Sequence, residues 1–125
     1  MERTRRVFKG RLSEILGDKT LGVDMFHRTV GIHRHSKEAV KNMDAKSLRI
    51  LNAYADGVNE FINNIGKSSA TLLPPELILL GVKNLEPWTP VDSVGIIKLL
   101  NFHLSWNWSQ DLLREVMDYF GLEDL

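Results

Sequence analysis

The segment Glu86-Pro87-Trp88-Thr89-Pro90 constrains the fold more than any other, because it predicts where a helix begins. Thr89 is a favourable N-cap, and Pro90 suits the first helical position, where its missing N–H needs no acceptor. Asp92 then lies where a carboxylate meets the free amides and the positive end of the helix dipole. The helix predicted for 90–105 is apolar on nearly all sides, so we expect it to be buried on most sides and central to the fold.

A chain of 125 residues cannot easily surround such a helix. A domain of this size buries only about two thirds of the surface of its unfolded chain. The sequence therefore predicts one helical domain or fragment, residues 1–125, with part of the apolar helix facing protein outside the chain. In isolation the chain is expected to self-associate over that surface.

Helical spacing of apolar residues extends along most of the chain. It predicts helices at 7–16, ended by Gly17, and at 45–65, ended by Gly66, with a shorter segment ending near Gly31. Ser36 is expected to cap a turn through Met43, and further helices are predicted at 76–80 and from residue 109 to Gly121. No strand alternation of useful length is present, so the fold class is all-α, with about five to seven helices.

Composition excludes several classes of function. The chain has no cysteine, which rules out disulfides, thiol nucleophiles and thiolate zinc sites. No apolar run approaches the ~20 residues of a membrane helix, so no membrane partner is predicted. Residues 1–50 carry twelve Lys and Arg against six Asp and Glu, and residues 51–125 carry four against ten. Two readings stay open, solvated helix faces or a basic docking surface, but the basic residues do not form one phosphate-tracking stripe and nucleic acid is not predicted.

The usual catalytic signatures are missing from the sequence, which has no Gly-x-Ser-x-Gly, no phosphate-binding glycine loop and no HExxH. His33 and His35 can share a metal only in extended backbone, and no third ligand is nearby. His27 and His103 are more simply read as satisfied side chains. The segment Trp106-Asn107-Trp108 fits either ordinary core packing or the wall of a pocket for an apolar ligand.

Four blocks of sequence occur in a distinctive order: LNAYADGVNEFI (51–62), LPPELILLG (73–81), EPWTPVDSVGIIKLL (86–100) and LSWNWSQDLLR (104–114). In this order, and together with the opening MERTRRVFKGRLSEILG, they resemble the α-chain of the penicillin acylase family. The resemblance implies the helical α-chain portion of an αββα N-terminal-nucleophile hydrolase, made as a precursor that is cleaved into α and β chains. It also implies an extracytoplasmic or periplasmic location.

By resemblance, the complete protein is an amidohydrolase that releases an acyl group from a linear amide. The nucleophilic serine would lie at the start of the missing β-chain, with no catalytic residue in this chain, which alone would be inactive. The α-chain would contribute Leu104, Asn107 and Trp108 to the acyl pocket, with Trp106 beside them. The family pattern differs at Trp106 and at Asn107-Trp108, so the acyl group is not identified.

No cofactor is implied, although calcium is possible in the full enzyme, with Glu115 as a weak candidate ligand. Two competing hypotheses belong to other classes of protein. One is a stand-alone helical module that binds a partner helix or an apolar ligand through Trp106–Trp108. The other is a nucleic-acid adaptor that uses residues 1–50.

Overall fold

The structure, a computed structural model, describes residues 1–65, 67, 73–82, 84–105 and 107–121, without the side chain of Trp108. These residues form eight α-helices and one 3-10 turn, Asp18–Thr20, and contain no strand, which confirms the all-α class. The helices are α1 (Glu2–Lys9), α2 (Ser13–Leu16), α3 (Leu21–Val30), α4 (Ile32–Lys41), α5 (Ala45–Asn64), α6 (Pro75–Leu79), α7 (Pro90–Leu104) and α8 (Trp108–Phe120). Within this described part, no helix is long and apolar enough to cross a membrane.

The two helices with the strongest sequence signals are confirmed. Helix α5 ends at Asn64, one residue before the predicted end, and its N-cap Asp44 accepts a hydrogen bond from the Ser47 amide at 2.9 Å. The predicted ending residue Gly66 lies outside the described residues. Helix α7 begins at Pro90 with a capping box formed by Thr89 and Asp92. Local cap chemistry therefore sets both helix starts.

Helix α1 crosses α7 closely, and this contact is the centre of the core. Phe8 of α1 is fully buried and packs with Ile32 of α4 and Leu99 of α7. Opposite the Phe8 ring lies Gly95, where an added Cβ would come within 2.5 Å of ring atom Cζ. Only a residue without a side chain allows the two helices to approach this far.

The prediction of one helix at 7–16 is wrong, because the chain breaks at Gly10. Gly10 adopts a left-handed conformation with φ 63°, and the backbone N–H of Arg11 closes the end of α1 on Arg6 O at 2.8 Å. A Cβ at Gly10 would also meet the Arg28 side chain of α3 at 2.5 Å. A glycine that can leave the helix, and that allows α3 to come close, therefore splits the segment into α1 and α2. The eight helices exceed the five to seven predicted partly for this reason.

The role predicted for Ser36 is also wrong. Ser36 lies inside α4, fully buried, and its hydroxyl donates to the backbone oxygen of Ile32 at 2.7 Å. Helix α4 starts four residues earlier, directly after Gly31, whose φ of 76° ends α3. Because one left-handed glycine separates the two helices, no further capping side chain is needed.

Helix α7 packs against α1, α4 and α5 over part of its surface and is exposed over the rest, in agreement with the expectation that a chain of this length cannot surround it. Leu99 is 2% exposed where it meets α1 and α4, whereas Leu104 is 85% exposed. Other large apolar side chains are exposed on α7, α5 and α8: Ile97 and Leu100 on α7, Ile50, Tyr54 and Phe61 on α5, and Leu112, Leu113, Tyr119 and Phe120 on α8. The described fold thus leaves a broad apolar surface without cover.

Candidate functional site

The predicted pocket residues lie at the junction between α7 and α8. Leu104 is the last residue of α7, and Asn107 directly precedes α8, which begins at Trp108. Trp106 and the side chain of Trp108 lie outside the described residues. The junction is short, so the chain holds Leu104 and Asn107 close together, as a shared pocket wall requires.

Backbone hydrogen bonds fix the geometry of this junction. The Asn107 amide donates to Ser105 O at 2.8 Å, and Asn107 O accepts from the amides of Gln110 and Asp111 at 3.0 and 2.9 Å. Ser105 in turn donates its hydroxyl to Asn101 O at 2.7 Å, at the end of α7. The backbone groups of Ser105 and Asn107 named here are therefore bonded within the junction, and the exposed side chain of Asn107 is available for contacts outside the fold. The pocket assignment itself stays a prediction.

Glu115 does not fit a calcium site on the described residues. Its side chain is exposed on α8, and no group of three or more His, Asp or Glu in the described part of the chain could hold a metal ion. The nearby Arg114 instead pairs with Asp111 at 3.6 Å. Calcium takes six to eight oxygen ligands, so a site at Glu115 would need most of them from outside the described residues.

The start of α7 carries a buried cluster of charges. Asp92 is fully buried, and its Oδ1 lies 2.6 Å from Lys9 Nζ. Its Oδ2 accepts from the Thr89 amide at 2.9 Å and from the Thr89 hydroxyl at 2.8 Å, and lies 4.0 Å from Arg5. Oδ2 thus faces the donors of Thr89, and Oδ1 faces the ammonium of Lys9 without a further hydrogen-bond partner among the described residues. Asp92 is therefore a structural anchor of the helix start.

Arg5 joins this cluster to the segment before α7. Its guanidinium is 2% exposed, donates to the backbone oxygens of Glu86 and Pro87 at 2.9 and 3.2 Å, and pairs with Glu2. The same group lies over the Trp88 ring, 5.4 Å from its centroid. A buried guanidinium needs this many acceptors, so the Glu86–Trp88 backbone is held in one conformation.

Trp88 is the second anchor of the α7 start. It is 4% exposed, and its indole N–H donates to the Ser93 hydroxyl at 3.0 Å. The side-chain amide of Asn59 on α5 pairs with both backbone groups of Trp88, donating to its oxygen at 2.9 Å and accepting from its amide at 2.6 Å. One polar side chain of α5 therefore docks the loop that leads into α7.

A network on the surface continues the cluster outward. Arg11 bonds to Glu14 through Nε at 2.6 Å and lies 2.8 Å from Glu86 through Nη2. These hydrogen bonds from Arg11 lower the pKa of both Glu14 and Glu86. Glu86 belongs to the acidic half of the sequence, so some of the basic residues of 1–50 are matched within the chain.

Asp24 holds the turn between α1 and α2. Burial acts to raise the pKa of Asp24, but hydrogen bonds from the hydroxyl and amide of Ser13 and from the amide of Leu12 outweigh it and leave the pKa lowered. The Leu12 amide is 2.7 Å from the carboxylate. The turn thus depends on Asp24 being ionised.

The histidines do not assemble a metal site among the described residues. His33 and His35 lie in α4, two positions apart in helical backbone, so they point in different directions. His33 instead stacks edge-on against Phe8, with ring centroids 6.0 Å apart. His27 is buried, and its ring contacts that of His103 at 6.4 Å.

Sequence reasoning recognised Thr89, Pro90 and Asp92 as helix-start residues but missed their partners. For the basic residues of 1–50 the sequence leaves open solvated faces or a docking surface, and it gives no partner for Lys9, Arg5 or Asn59. A signal was present for Asp92 alone, because a carboxylate next to a buried helix start needs cations or donors. Which cation supplies them depends on the packing of α1, and no local pattern encodes that.

The described residues form an all-helical fold in which the buried polar groups stabilise the structure. Large apolar side chains of α5, α7 and α8 are exposed. Residues 1–124 match the profile of the penicillin amidase family, and the chain belongs to that family. This confirms the resemblance to penicillin acylases.

Named relatives are acylases. The chain is 32% identical to the acyl-homoserine lactone acylase QuiP of Pseudomonas aeruginosa over 108 residues, which cover 86% of this chain and 12% of the relative. It is 32% identical to the penicillin acylase 2 proenzyme of Pseudomonas sp. strain SE83, over 86% of this chain and 13% of that protein. It is 28% identical to penicillin G acylase of Escherichia coli, over 74% of this chain and 11% of that enzyme. The chain thus spans about one eighth of the relatives it matches.

Proposed function

We propose that this chain is the α-subunit portion of an N-acyl amidohydrolase that hydrolyses a linear amide and releases its acyl group. The observation that carries the proposal is the family match along residues 1–124, with relatives named as acylases. In this proposal the nucleophilic serine belongs to a β-chain made from the same precursor. This chain supplies part of the acyl pocket and the scaffold behind it.

The uncovered apolar surface supports a large partner. Tyr54 on α5, Ile97 and Leu104 on α7, and Tyr119 on α8 are each about half exposed or more. Between α5 and α7 the surface forms a groove of about 280 Å³ with an almost wholly apolar lining that includes Leu51, Tyr54, Trp88 and Ile96. Exposed apolar surface of this extent is typical of protein that is covered in its assembly. We assign that cover to the β-chain.

The acyl pocket is proposed at the junction of α7 and α8, where Leu104, Trp106, Asn107 and Trp108 follow one another. The start of α7 is fixed by Asp92 and its partners, whereas its last residue is exposed. A rigid helix that presents its end residues is a suitable way to position a pocket wall. We further infer an extracytoplasmic location, and calcium in the full enzyme only if other chains supply its ligands.

The first test compares the purified chain with the chain co-expressed with its β-chain. The assay follows release of a chromogenic amine from an acyl amide and hydrolysis of an N-acyl-homoserine lactone. The chain alone is expected to give no turnover and to self-associate in light scattering, and the pair is expected to be active on an acyl amide. Turnover by the pure chain would place the chemistry in this chain, and an inactive, correctly processed pair would refute the acylase assignment.

The second test concerns the pocket residues. Replacing Trp108 with Ala should enlarge the pocket and shift the ratio of kcat/KM values toward longer acyl groups. Tyr119→Ala is the matched control: it removes an aromatic ring that is 84% exposed on the same helix, outside the proposed pocket but on the surface assigned to the β-chain, so it reports the effect of altered assembly alone. If Trp108→Ala leaves the acyl-length selectivity unchanged, or if both variants shift it equally, then Trp108 does not line the acyl pocket and contributes only to packing.

The apolar groove between α5 and α7 also fits the second hypothesis, a stand-alone helical binding module. A stand-alone helical module would use the surface of α5 and α7 for a partner helix or an apolar ligand. The reading frame downstream of Leu125 separates the two ideas. A β-chain sequence that begins with a serine, found downstream of Leu125, supports the acylase. If neither this gene nor a neighbouring gene encodes such a β-chain, the binding module is favoured.

A further inference from the structure

Helix α8 has an apolar stripe that the described fold does not cover. The stripe consists of Leu112, Leu113, Val116, Tyr119 and Phe120, whose exposed fractions lie between 43% and 84%. Among the described residues α8 packs extensively against no other helix, whereas α7 packs against α1, α4 and α5. A helix of thirteen residues is marginal in water unless its apolar face is buried. The stripe on α8 therefore requires a partner surface.

The apolar groove between α5 and α7 has suitable dimensions for this helix. The part of about 280 Å³ adjoins a second part of about 520 Å³ along α5, and Tyr54 lines both. The α5 wall from Leu51 to Phe61 is about 15 Å long, and the α8 stripe from Leu112 to Phe120 is about 12 Å long. Docking of an amphipathic helix in an apolar groove is a common mode of recognition.

The charges beside the two surfaces are opposite. The first half of α5 carries Lys46 and Arg49 and no acidic residue, and Lys46 lies one turn before the exposed Ile50. On α8, Glu115 and Asp118 border the apolar stripe. In the described part of the chain, none of these four charged side chains has an ion-pair partner. Complementary charges of this kind select and orient a partner.

The helix and the groove do not meet within one copy of the chain. A junction of three residues, 105–107, separates α7 from α8, and no residue of α8 lines either part of the groove. A copy with an open groove and an undocked helix is complementary to a second copy of itself. A twofold arrangement fills both grooves at once and leaves no unpaired surface of this kind.

The exposed area is large enough for a stable dimer. The chain exposes 9058 Å², whereas a monomeric protein of 14.3 kDa exposes about 6,800 Å², so the excess is roughly 2,200 Å². Obligate homodimers bury about 1,000–2,500 Å² on each partner. The excess surface of one chain therefore matches what one side of such an interface removes from water.

We propose that two copies of this chain form a symmetric dimer in which α8 of each copy lies in the α5–α7 groove of the other. In this dimer Glu115 of one copy lies beside Lys46 of the other, and Val116 and Phe120 enter the groove near Tyr54. The dimer uses the surface that the proposed function assigns to the β-chain, so a second copy and the β-chain exclude each other. Because this chain alone forms the interface, the proposal does not rest on the acylase assignment.

The first experiment exchanges charges and measures dimer dissociation by analytical ultracentrifugation of the full chain. Lys46→Glu and Glu115→Lys each place like charges at both contacts of a symmetric dimer, so each variant alone should dissociate roughly tenfold more readily. An equimolar mixture of the two variants should restore the original affinity, because both contacts of the mixed dimer then join opposite charges. Lys37→Glu makes the same change at an exposed position of α4 and should leave the dimer intact.

The second experiment tests the apolar contact by size-exclusion chromatography with light scattering. Val116→Asp should convert the dimer to a monomer of 14.3 kDa, because it places a carboxylate in the apolar groove. Val23→Asp is the matched control, since Val23 on α3 is 39% exposed, against 43% for Val116, and does not line the groove. Far-UV circular dichroism establishes that both variants keep their helices.

Three results would overturn the proposal. The first is a wild-type chain that is monomeric, or that forms only a series of larger aggregates, at micromolar concentration; a monomer that binds the β-chain alone would assign both surfaces to that chain. The second is a mixture of Lys46→Glu and Glu115→Lys that dissociates as readily as either variant. The third is equal behaviour of Val116→Asp and Val23→Asp. None of these readouts involves acylase activity, so the two proposals fail separately.

Discussion

Gly95→Ala is the sharpest test of how α1 packs on α7. The added methyl group would lie 2.5 Å from Phe8 Cζ and 2.8 Å from Phe8 Cδ2. Carbon atoms in ordinary contact are about 3.5–4.0 Å apart, so the ring and the helix must separate by roughly 1 Å. Phe8 is fully buried against Ile32 and Leu99, which leaves its rigid ring little space to move into.

The magnitude follows from two opposing contributions. Alanine favours the interior of a helix over glycine by about 1 kcal/mol. Forcing extra volume into a packed core costs about 1–3 kcal/mol and occasionally more. The distances at Gly95 put this site at the upper end of that range, so we expect a net loss of about 1–2 kcal/mol in the free energy of unfolding. In a chain of this size the Tm should fall by roughly 4–10 °C.

The assay is urea and thermal unfolding followed by far-UV circular dichroism. Gly57→Ala is the matched control, because Gly57 lies inside α5 with no atom within 4 Å of an added Cβ. That variant should gain up to about 1 kcal/mol from helix propensity alone. The packing argument is refuted if Gly95→Ala is as stable as Gly57→Ala. A double variant with Phe8→Leu should lose less than the sum of the two single losses, because the smaller side chain makes room for the methyl group.

Three further predictions concern the buried polar groups. Lys9→Met should cost about 3 kcal/mol in urea unfolding, because it leaves the carboxylate of Asp92 buried without its closest cation; a loss below about 1 kcal/mol would mean that the carboxylate reaches water. Asn59→Ala should cost about 2 kcal/mol, because both backbone groups of Trp88 lose their partner; a near-neutral result would show that the loop docks without them. The pKa of Asp24 is lower in the folded than in the unfolded chain, so its contribution is present above the ordinary Asp pKa of about 4 and is lost as the pH falls below it; Asp24→Asn should flatten the fall in stability measured from neutral to acidic pH.

Those features that depend on short-range chemistry could be predicted from the sequence. The apolar stripe of 45–65 and the Thr89-Pro90-Asp92 start placed α5 and α7 to within a residue, because caps and periodicity act over three or four positions. The break at Gly10 could not be predicted, since a glycine inside an apolar pattern reads as tolerated until α3 is seen to pack against it. The Lys9–Asp92 pair joins α1 to the start of α7, two helices far apart in the sequence, so it exists only through the tertiary fold.

The residues of the candidate site also differ in how far the sequence could predict them. Family resemblance indicated Leu104, Asn107 and the two tryptophans, but no physical pattern within the chain marks them as a pocket wall.

The burial of α7 along its length connects the fold to the proposed function. Asp92 is fully buried and Leu99 is 2% exposed, whereas Leu104 at the end is 85% exposed. The polar contacts of Asp92, Trp88 and Asn59 therefore fix the start of the helix, whereas in its last turn Phe102 and His103 contact Phe26 and His27 and leave Leu104 exposed. A pocket wall that includes Leu104 would be completed only when a partner covers that side chain. Substitutions at the start of α7 should accordingly unfold the chain, while those at its end should act mainly through the assembled enzyme.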